Sequence, residues 1–479
     1  MCPDIPVFSL TQTQVPSVIV WIDDSGVAHA RDTKTGSIIA ESADHASVLQ
    51  AALNALSGVG GRVFVKSGEY RASAFTYLTV PERVAIEGEV GREGKPVLHL
   101  MGFKITNGWC RIENVRLVDD AQTPGSKAIY INQDASPYGH AQRVTIRNVE
   151  ISKFDYGIIN DNVNKATFGI FIRDVRSECR SGDLWLYYSI PTIEFFIADH
   201  ANYAQTLDDY AVKIIGTGPL GGGGYLNHVE AMSAKKGIYI GDHLQLWADF
   251  LHADLCSGEG ITVENCQECV FRMPRAALNG GYGLGIGSCQ RCTFTDGLVN
   301  ANNGHGISMG TAPGASFGCK GVAIIGFHIF DNKNGGIVVY AASADNYSID
   351  IFVDDCILYN NGTGTTWANI HAYAPSRITV GKAVCRGGSG IPLGDNVTVV
   401  GQVVSDAGLA KNAGTATIPA GSTSATVNHG LLKAPSKVLV TPAANLGAVW
   451  VSNITSTQFT INCSTAPSSD TVVYWYAEV

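Results

Sequence analysis

The sequence is poor in charged residues and lacks long apolar runs. Asp, Glu, Lys and Arg make up 16% of the 479 residues, whereas about a quarter is usual in globular domains. The net charge is −9 and no block of Lys or Arg stands out, so nucleic acid is not an expected partner. No apolar stretch reaches the roughly 18 residues of a membrane-spanning helix, so membrane insertion is not expected. The first residues also lack the basic and apolar regions of a Sec signal peptide.

Cysteine is scarce for a chain of this length, because twelve cysteines in 479 residues are too few for a disulfide scaffold. Cys266, Cys269, Cys289 and Cys292 form two Cys-x-x-Cys pairs, a spacing often seen in zinc sites. The interval between the two pairs equals the length of the repeat described next, so stacked repeats explain the spacing without a metal. We therefore predict buried free thiols, with zinc or a disulfide as less favoured alternatives.

Glycine is abundant, with 54 residues, and it marks an internal repeat. Gly237, Gly260, Gly283 and Gly306 recur at one constant interval, and each is followed by an apolar-x-apolar triplet. Each repeat therefore holds two or three short strands of period two, joined by turns. Looser copies of the triplet follow Ala128, Gly157, Asp183, Ala211 and Gly336.

A single repeat of this kind cannot bury its apolar face, whereas stacked repeats can pair strand on strand at about 4.8 Å. We predict an all-β fold, a right-handed parallel β-helix over about residues 60–405. The blades of a β-propeller need about 40–45 residues each, so the shorter repeats of this chain fit that architecture poorly.

The segments that flank the repeats differ from them in pattern. Residues 44–56 predict an amphipathic helix that caps the N-terminal end of the β-helix, where open strand edges would recruit other chains. Residues 18–32 read as a hairpin, and alternating strands after a Gly/Ser/Thr-rich stretch predict a small C-terminal antiparallel β-sandwich. The predicted domains are a head segment at 1–42, the capped β-helix at 43–405 and the sandwich at 406–479. The apolar face of the helix consists of Val48, Leu49, Ala52, Leu53 and Leu56.

Residues 40–405 resemble the pectate-lyase-like superfamily of parallel β-helices, because the capping helix is followed by the glycine-rich strand segment from Gly60 to Gly68. A β-helix followed by a sandwich is also similar to phage or virus tailspikes and related polysaccharide depolymerases. The resemblance implies a homotrimer, in a virion or outside cells, whose terminal sandwich trimerises or binds carbohydrate. It also implies a polysaccharide-binding and polysaccharide-degrading enzyme. A non-catalytic virion or surface adhesin is the alternative, and an epimerase is a third possibility.

Side chains in the middle of each triplet and just after it are expected to point outward, because side chains alternate along a strand. Sugars have flat C–H faces that pack on aromatic rings, so rings at these positions form a candidate trough for a polysaccharide. In the alternative interpretation the rings pack under loops or against a neighbouring subunit. The aromatic residues at such positions are Tyr130, Trp185, Tyr187 and Tyr239.

Hydrolysis of a glycosidic bond uses two carboxyl groups, about 5–5.5 Å apart when configuration is retained and about 6.5–9.5 Å apart when it is inverted. Asp242 and Glu264 follow corresponding strands of neighbouring repeats and are the predicted catalytic pair. Asp161 and Asp209 are further candidates near the trough. For each of these residues the alternative is a solvated turn carboxylate without a catalytic role. Such an enzyme needs no cofactor.

A polysaccharide lyase would instead need a base and a cation, either a side chain or Ca²⁺, to stabilise an enolate. The candidates for these roles are Lys213, Lys235, Lys236, Tyr239 and His243. No run of residues matches a known lyase motif, so a glycosidase is slightly favoured over a lyase.

Three histidines, His200, His228 and His252, are each followed two residues later by Asn, Glu or Asp. If they stack in successive repeats, they could bind a metal. Asn114 and Asn148 hold the same place in earlier repeats, and like side chains commonly stack at β-helix corners. We therefore favour a corner ladder and predict no metal site.

Overall fold

A computed structural model describes residues 17–91, 94–132, 141–160, 167–201, 209–216, 223–343, 346–388 and 392–479. They form two compact units, which divide the chain between residues 217 and 218. Both units consist almost wholly of β-strands and contain right-handed coils of parallel strands, which confirms the predicted fold class. Within these ranges, no helix has the length and hydropathy needed to cross a bilayer.

The described residues of the first unit contain one helix among their strands. The elements are β1 (Val18–Ile22), β2 (Ala28–Asp32), β3 (Ile38–Ser42), α1 (His45–Asn54), β4 (Gly61–Val65), β5 (Glu69–Val80), β6 (Val84–Gly88), β7 (Val97–Ile105), β8 (Arg111–Glu113), β9 (Arg116–Val118), β10 (Lys127–Ile131), β11 (Ala141–Gln142), β12 (Thr145–Ser152), β13 (Tyr156–Asn160), β14 (Thr167–Glu178), β15 (Gly182–Leu186), β16 (Ser189–Asp199) and β17 (Tyr210–Ile215).

The helix α1 forms where the amphipathic pattern predicted it. Its buried face contains Val48, Leu49, Ala52 and Leu53, and Leu56 just after the helix is buried as well. The preceding strands β1 and β2 form the predicted antiparallel hairpin, and β1 also pairs in parallel with β4. The roles of the helix as an end cap and of the hairpin as a head segment stay predictions.

Parallel ladders build the coils of the first unit. One ladder consists of β4, β6, β8, β12, β14 and β16, and another of β7, β10, β13, β15 and β17. The first ladder stacks isoleucines on one another in the interior, all of them buried, because the inward positions of neighbouring coils are in register. These residues are Ile86, Ile112, Ile146, Ile172 and Ile193.

The second unit is built from shorter strands. They are β18 (Tyr225–Met232), β19 (Lys236–Gly241), β20 (Trp247–Asp254), β21 (Ile261–Glu264), β22 (Val270–Arg272), β23 (Arg275–Ala277), β24 (Leu284–Gly287), β25 (Thr293–Thr295), β26 (Leu298–Asn300), β27 (Ile307–Gly310), β28 (Ala323–Ile325), β29 (His328–Phe330), β30 (Ile337–Val339), β31 (Ile351–Asp354), β32 (Cys356–Tyr359), β33 (Ile370–Ala372), β34 (Ile378–Arg386), β35 (Val397–Ser405), β36 (Gly408–Leu409), β37 (Lys411–Ile418), β38 (Ser424–Asn428), β39 (Lys437–Pro442), β40 (Val449–Ser452), β41 (Gln458–Cys463) and β42 (Thr471–Glu478).

The glycine-marked repeat becomes one ladder of the second unit, formed by β19, β21, β24, β27, β30 and β33. Its register places Ile238, Ile261, Leu284 and Ile307 directly above one another. The glycine before each of these residues is therefore stacked too, as the sequence predicts. Side chains on this ladder consequently meet partners that lie at least one full repeat away in the chain.

The predicted corner ladder is only partly right. In the second unit, the residue that turns the chain at this corner has a left-handed backbone in each coil. It is His228 (φ 61°) in one coil, Phe250 (φ 53°) in the next and Met273 (φ 50°) in the one after. His252 is instead in register with Glu230, two positions beyond the corner. The alignment of His228 with His252 is therefore wrong, because buried apolar residues set the strand register and the corner follows from it.

In the first unit the same kind of corner holds Asn114, Asn148, Asp174 and Phe195, with φ between 52° and 70°. Asn and Asp tolerate this conformation best, and Asn148 Nδ2 donates to Asn114 Oδ1 at 2.8 Å. His200 is not a corner residue, contrary to the prediction. Its side chain is fully buried and its Nε2 lies 2.6 Å from Oδ2 of Asp183.

A second ladder of asparagines, not anticipated from the sequence, runs through the interior of the second unit. Each side-chain amide nitrogen donates to the side-chain oxygen of the next asparagine at 2.9 Å. All members are at most 1% exposed, so these bonds satisfy polar groups that water does not reach. The ladder consists of Asn279, Asn302, Asn332, Asn361 and Asn369.

The cysteines in the described ranges are all free and buried. The thiol of Cys269 donates to the carbonyl of His243 at 3.5 Å, and that of Cys292 to the carbonyl of Cys266 at 3.3 Å. Burial raises the pKa of Cys266 and Cys289 well above the ordinary value for a thiol. Across the described residues, no group of three or more His, Cys, Asp or Glu side chains is arranged to hold a metal ion.

Two three-stranded antiparallel sheets form the C-terminal part of the chain, as predicted. Their strand orders are β37-β42-β39 and β38-β41-β40. Alternate residues of both sheets share one apolar core that contains Ile418, Phe459, Ile461, Val473 and Trp475, which is the arrangement of a small sandwich. The three predicted domain boundaries stay a prediction.

Candidate functional site

A groove of about 460 Å³ opens in the second unit, where β19, β21 and β24 end. Its volume is within the range of small-molecule sites, about 300–1,000 Å³. Amide, hydroxyl and carboxyl side chains line it on one side, and a loop that follows β27 lines it on the other. The lining residues are Asp242, His243, Leu244, Asn265, Cys266, Gln267, Ser288, Gln290 and residues 313–317.

Three of these residues, Asp242, Asn265 and Ser288, occupy the same corner position in consecutive coils. Each has a left-handed backbone, with φ of 54°, 54° and 51°. Their backbone amides donate to carbonyls of the following coil at 3.1, 2.9 and 3.0 Å. The three side chains are therefore stacked at strand spacing, and Asn265 acts to lower the pKa of its neighbour Asp242.

Ser288 also holds the loop that faces this corner. Its hydroxyl donates to the carbonyl of Phe317 at 2.6 Å and accepts from the amide of Ala312 at 2.9 Å. The start of the loop is fixed further by Thr311, whose hydroxyl donates to Oδ1 of Asn346 at 2.8 Å. The width of the groove thus depends on one buried hydroxyl at the corner.

Glu264 lies beside the groove and is hydrogen-bonded to a tyrosine of the preceding coil. It is in register with Gly241 on β19, and the hydroxyl of Tyr239 donates to its Oε2 at 3.0 Å. The ring of Tyr239 folds across Gly241, where a Cβ atom would lie only 2.7 Å from a ring carbon. Glycine at 241 is therefore what allows the tyrosine and the glutamate to meet.

The environment raises the pKa of both predicted acids. Burial raises the pKa of Asp242, and the hydrogen bond from Asn265 offsets part of the rise. Burial also raises the pKa of Glu264, the hydrogen bond from Tyr239 opposes this, and the negative charge of Asp242 adds to it. Since Asp242 affects the pKa of Glu264, the two carboxyl groups are electrostatic neighbours. Burial and the charge of Glu264 raise the pKa of Tyr239, so its phenol stays protonated.

His243 lines the groove but its side chain is almost inaccessible, since the residue is 2% exposed. Asn265, Ser288, Gln267 and Gln290 were missed as site residues. The sequence did contain a signal for them, because residues 242, 265 and 288 share the spacing of the glycine-marked repeat, as do 267 and 290. The loop at 313–317 carries no such signal.

In the first unit, the strand register aligns the residues of the predicted column, but Ile159 and Trp185 within it are buried. The register places Tyr130, Ile159, Trp185 and Lys213 in consecutive coils. Tyr130 is half-buried, and the ammonium group of Lys127 lies 3.8 Å from its ring centroid. This contact has the geometry of a cation–π interaction.

Trp185 is more buried than a sugar-stacking ring needs to be, at 8% exposed. Its indole N–H donates to the carbonyl of Tyr210 at 2.8 Å, and Lys213 Nζ lies 4.5 Å from its ring centroid. Lys213 and Asp209 form an ion pair at 2.6 Å. Tyr187 follows β15 and is half-buried. Asp161 lies outside the described residues.

Comparison with solved structures finds other parallel β-helix proteins. The tailspike of E. coli bacteriophage HK620 in complex with a pentasaccharide is 9% identical, with a TM-score of 0.50 over 90% of each chain. A mutant of the same tailspike is 10% identical, with a TM-score of 0.50 over 94% of this chain and 92% of that one.

The A-module of a mannuronan C-5 epimerase from Azotobacter vinelandii is 16% identical, with a TM-score of 0.48, over 75% of this chain and 94% of the module. No protein family matches the sequence, and no match is found among curated proteins. At these identities the likeness demonstrates the fold alone.

Proposed function

We propose that the chain is a polysaccharide-binding and polysaccharide-degrading protein of tailspike type, a glycoside hydrolase that uses Asp242 and Glu264. The observation that carries this proposal is the pair of partly buried carboxyl groups with raised pKa values beside a polar groove. Glycosidase sites pair two neighbouring carboxyl groups, one of which has a raised pKa and acts as the general acid. The parallel β-helix fold shared with a tailspike whose structure is in complex with a pentasaccharide is consistent with it.

Each carboxyl group has a distinct part in this proposal. Glu264 is the general acid, because burial and the charge of Asp242 raise its pKa; it donates its proton to the glycosidic oxygen as the bond to the anomeric carbon breaks. Asp242 lines the groove, and its carboxylate attacks the anomeric carbon. Water then releases the sugar, with Glu264 acting as base. Residues on neighbouring coils fit the shorter carboxyl separation, about 5–5.5 Å, so we expect retention of configuration.

The groove also has the chemistry for binding sugar hydroxyls. Asn265, Gln267 and Gln290 each offer an amide donor and an acceptor. Ser288 is committed to the loop by its two hydrogen bonds, so it positions the groove wall rather than the ligand. Phe317 adds an aromatic side chain to the lining. Such a mixture of amides, a carboxyl and a ring is common in ligand sites.

A screen tests the proposal. The chain is incubated with polygalacturonate, alginate, dextran and bacterial O-antigen polysaccharides, and released oligosaccharides are measured. Asp242→Asn and Glu264→Gln should each lower the rate by about 10²–10⁴-fold. Glu268→Gln is the matched control, because the side chain of Glu268 is 39% exposed and pairs with Arg291 at 2.7 Å. Full activity in both site variants would remove the catalytic pair from consideration.

The same screen separates the alternatives. A lyase would release an unsaturated product that absorbs in the ultraviolet, and sensitivity to EDTA would point to Ca²⁺. The burial of His243 and the pairing of Lys213 with Asp209 give less support to these residues as lyase groups. A non-catalytic adhesin would bind a polysaccharide without releasing fragments. For such a protein, Asp242→Asn could change the affinity for the polysaccharide but not the amount of oligosaccharide released.

We also propose that the chain forms a homotrimer in a virion or outside cells, through its C-terminal sheets. The outer face of the β37-β42-β39 sheet exposes Leu439 at 54% and Tyr474 at 55%, with Val472 at 36% beside them. An exposed apolar patch of this kind is typical of an association surface. Light scattering should give the mass of three chains for the parent protein, and Leu439→Lys with Tyr474→Lys should shift it towards one. A parent mass of one chain would contradict the proposal.

A further inference from the structure

The column of outward residues that contains Glu264 continues beyond the groove. Glu264, Gly287 and Gly310 are in register on β21, β24 and β27. The next two positions of the column are Tyr340 and Tyr373, which directly follow β30 and β33. Their amides donate to the carbonyls of Met309 and Val339 in the preceding coils, at 2.7 and 2.8 Å.

Five rings gather at this end of the column, and we call them the distal aromatic cluster. Tyr340 and Tyr373 are stacked, with ring centroids 5.2 Å apart and an interplanar angle of 13°. The remaining rings meet them or each other edge-on, with centroids 4.6 to 6.2 Å apart. Offset-stacked and edge-on contacts are the favourable geometries for aromatic rings. The cluster consists of His305, Tyr340, Trp367, His371 and Tyr373.

A hydrogen bond fixes the cluster on its buried side, and its other side is accessible to solvent. His305 is 8% exposed and its Nε2 lies 2.7 Å from the hydroxyl of Tyr340. Burial lowers the pKa of His305 to about 4, so the ring stays neutral and the bond persists near neutral pH. Tyr373 is 39% exposed, and Trp367 is half-buried. Rings fixed in this way lose little conformational freedom when they bind a ligand.

Small residues separate the cluster from the carboxyl groups. The two intervening positions of the column are glycines. The loop backbone at Ala312 covers Gly287, so the proposed ligand passes over this loop between the carboxyl groups and the rings. A Cβ atom at Gly310 would meet only Tyr340, at 3.5 Å or more. Three coils at about 4.8 Å each place Tyr340 roughly 14 Å along the column from Glu264. That distance corresponds to several linked monosaccharides.

We propose that the distal aromatic cluster is a second saccharide subsite, which binds the same polysaccharide chain several sugars away from the carboxyl pair. The inference rests on the proposed function and adds to it that the ligand is an extended chain rather than a monosaccharide or disaccharide. Trp367 and Tyr373 contact the C–H faces of a distant sugar. The hydroxyl of Tyr373 donates to an oxygen of that sugar. Glu264 and Asp242 act on a bond at the other end of the bound segment.

The test measures affinity against ligand length. Glu264→Gln is used as the parent, because it keeps the groove and stops turnover. Its binding to size-fractionated oligosaccharides, prepared from whichever of the four polysaccharide classes above binds, is measured by calorimetry. Tyr373→Ala and Trp367→Ala are then compared with Tyr359→Ala. Tyr359 is the matched control, because it is 38% exposed and stacked on Phe330 at 4.9 Å, but lies on β32 outside the column.

The expected result is a loss of about tenfold in affinity for long oligosaccharides, and no loss for the shortest that bind. The Tyr359 variant should match the parent at every length. Equal affinities of the Tyr373 and Trp367 variants and the parent for long chains would overturn the subsite and leave the proposed function standing. If none of the four polysaccharides binds the parent, the proposed function fails and the subsite fails with it.

Discussion

The internal asparagine ladder gives the sharpest prediction about stability. Asn302 sits in its middle and is 1% exposed. Its Oδ1 accepts from the backbone amide of Asn279 at 3.0 Å and from the Asn279 side chain at 2.9 Å. Its Nδ2 donates to Asn332 at 2.9 Å and to the carbonyl of Ala276 at 3.1 Å. Replacement of this one side chain therefore affects four hydrogen bonds on three coils.

Asn302→Ala should destabilise the chain strongly. The buried amide of Asn279 loses its acceptor, which costs about 1–3 kcal/mol, and each further hydrogen bond contributes about 0.5–1.5 kcal/mol. Partial replacement by water and by neighbouring groups reduces the sum, so we expect a loss of roughly 2–5 kcal/mol. This is a substantial fraction of a typical free energy of unfolding, about 5–15 kcal/mol.

The assay is urea-induced unfolding followed by intrinsic fluorescence, together with the calorimetric Tm. Asn303→Ala is the control, because Asn303 is the next residue in the same turn and is exposed. Its substitution should change the free energy of unfolding by less than about 0.5 kcal/mol. If Asn302→Ala shifts the urea midpoint no more than Asn303→Ala does, the ladder contributes nothing measurable and the reasoning is refuted.

Two further predictions concern the groove. Because the native-state pKa values of Asp242 and Glu264 are raised, the folded chain holds these protons more tightly than the unfolded chain, and stability falls as pH rises from the ordinary carboxyl pKa to the native one. Asp242→Asn and Glu264→Gln should remove this slope and unfold at an equal or higher Tm at pH 7, and a lower Tm in both would contradict the assigned shifts. Ser288→Ala should speed hydrogen exchange in the loop at 311–317 and weaken polysaccharide binding, whereas Ser288→Thr keeps the hydroxyl. Unchanged exchange in the alanine variant would show that Ser288 does not hold the loop.

The sequence could predict that the strands before the two predicted acids are stacked, because this stacking depends on the repeat alone. The constant interval between repeats means that Asp242 and Glu264 follow strands that stack. The corner histidines were misplaced for a related reason. The register of β18 with β20 places Phe250 opposite His228, so this coil is one residue shorter than the constant interval, whereas the interval from His228 to His252 is one residue longer. His252 therefore falls two positions beyond the corner.

The sequence could not predict the distal aromatic cluster, and the reason is different. The interval from Tyr340 to Tyr373 is longer than the constant interval, since the coil between them carries an inserted turn with Trp367. No fixed spacing identifies them, and only the register of β30 with β33 brings their rings together. Trp185 is the opposite case, because its outward position was predicted and its burial was not. Lys213 covers its ring, and its indole N–H donates to the carbonyl of Tyr210 in the next coil.

The order of residues along the chain was sufficient to establish the coil, its repeat length and the helix before it, because alternation and amphipathicity are local patterns read within a few residues. The tertiary structure alone decided which outward side chains reach solvent and which polar groups share a groove. Exposure depends on loops and rings contributed by other coils, and a chain with insertions of unequal length does not encode those distances in its spacing.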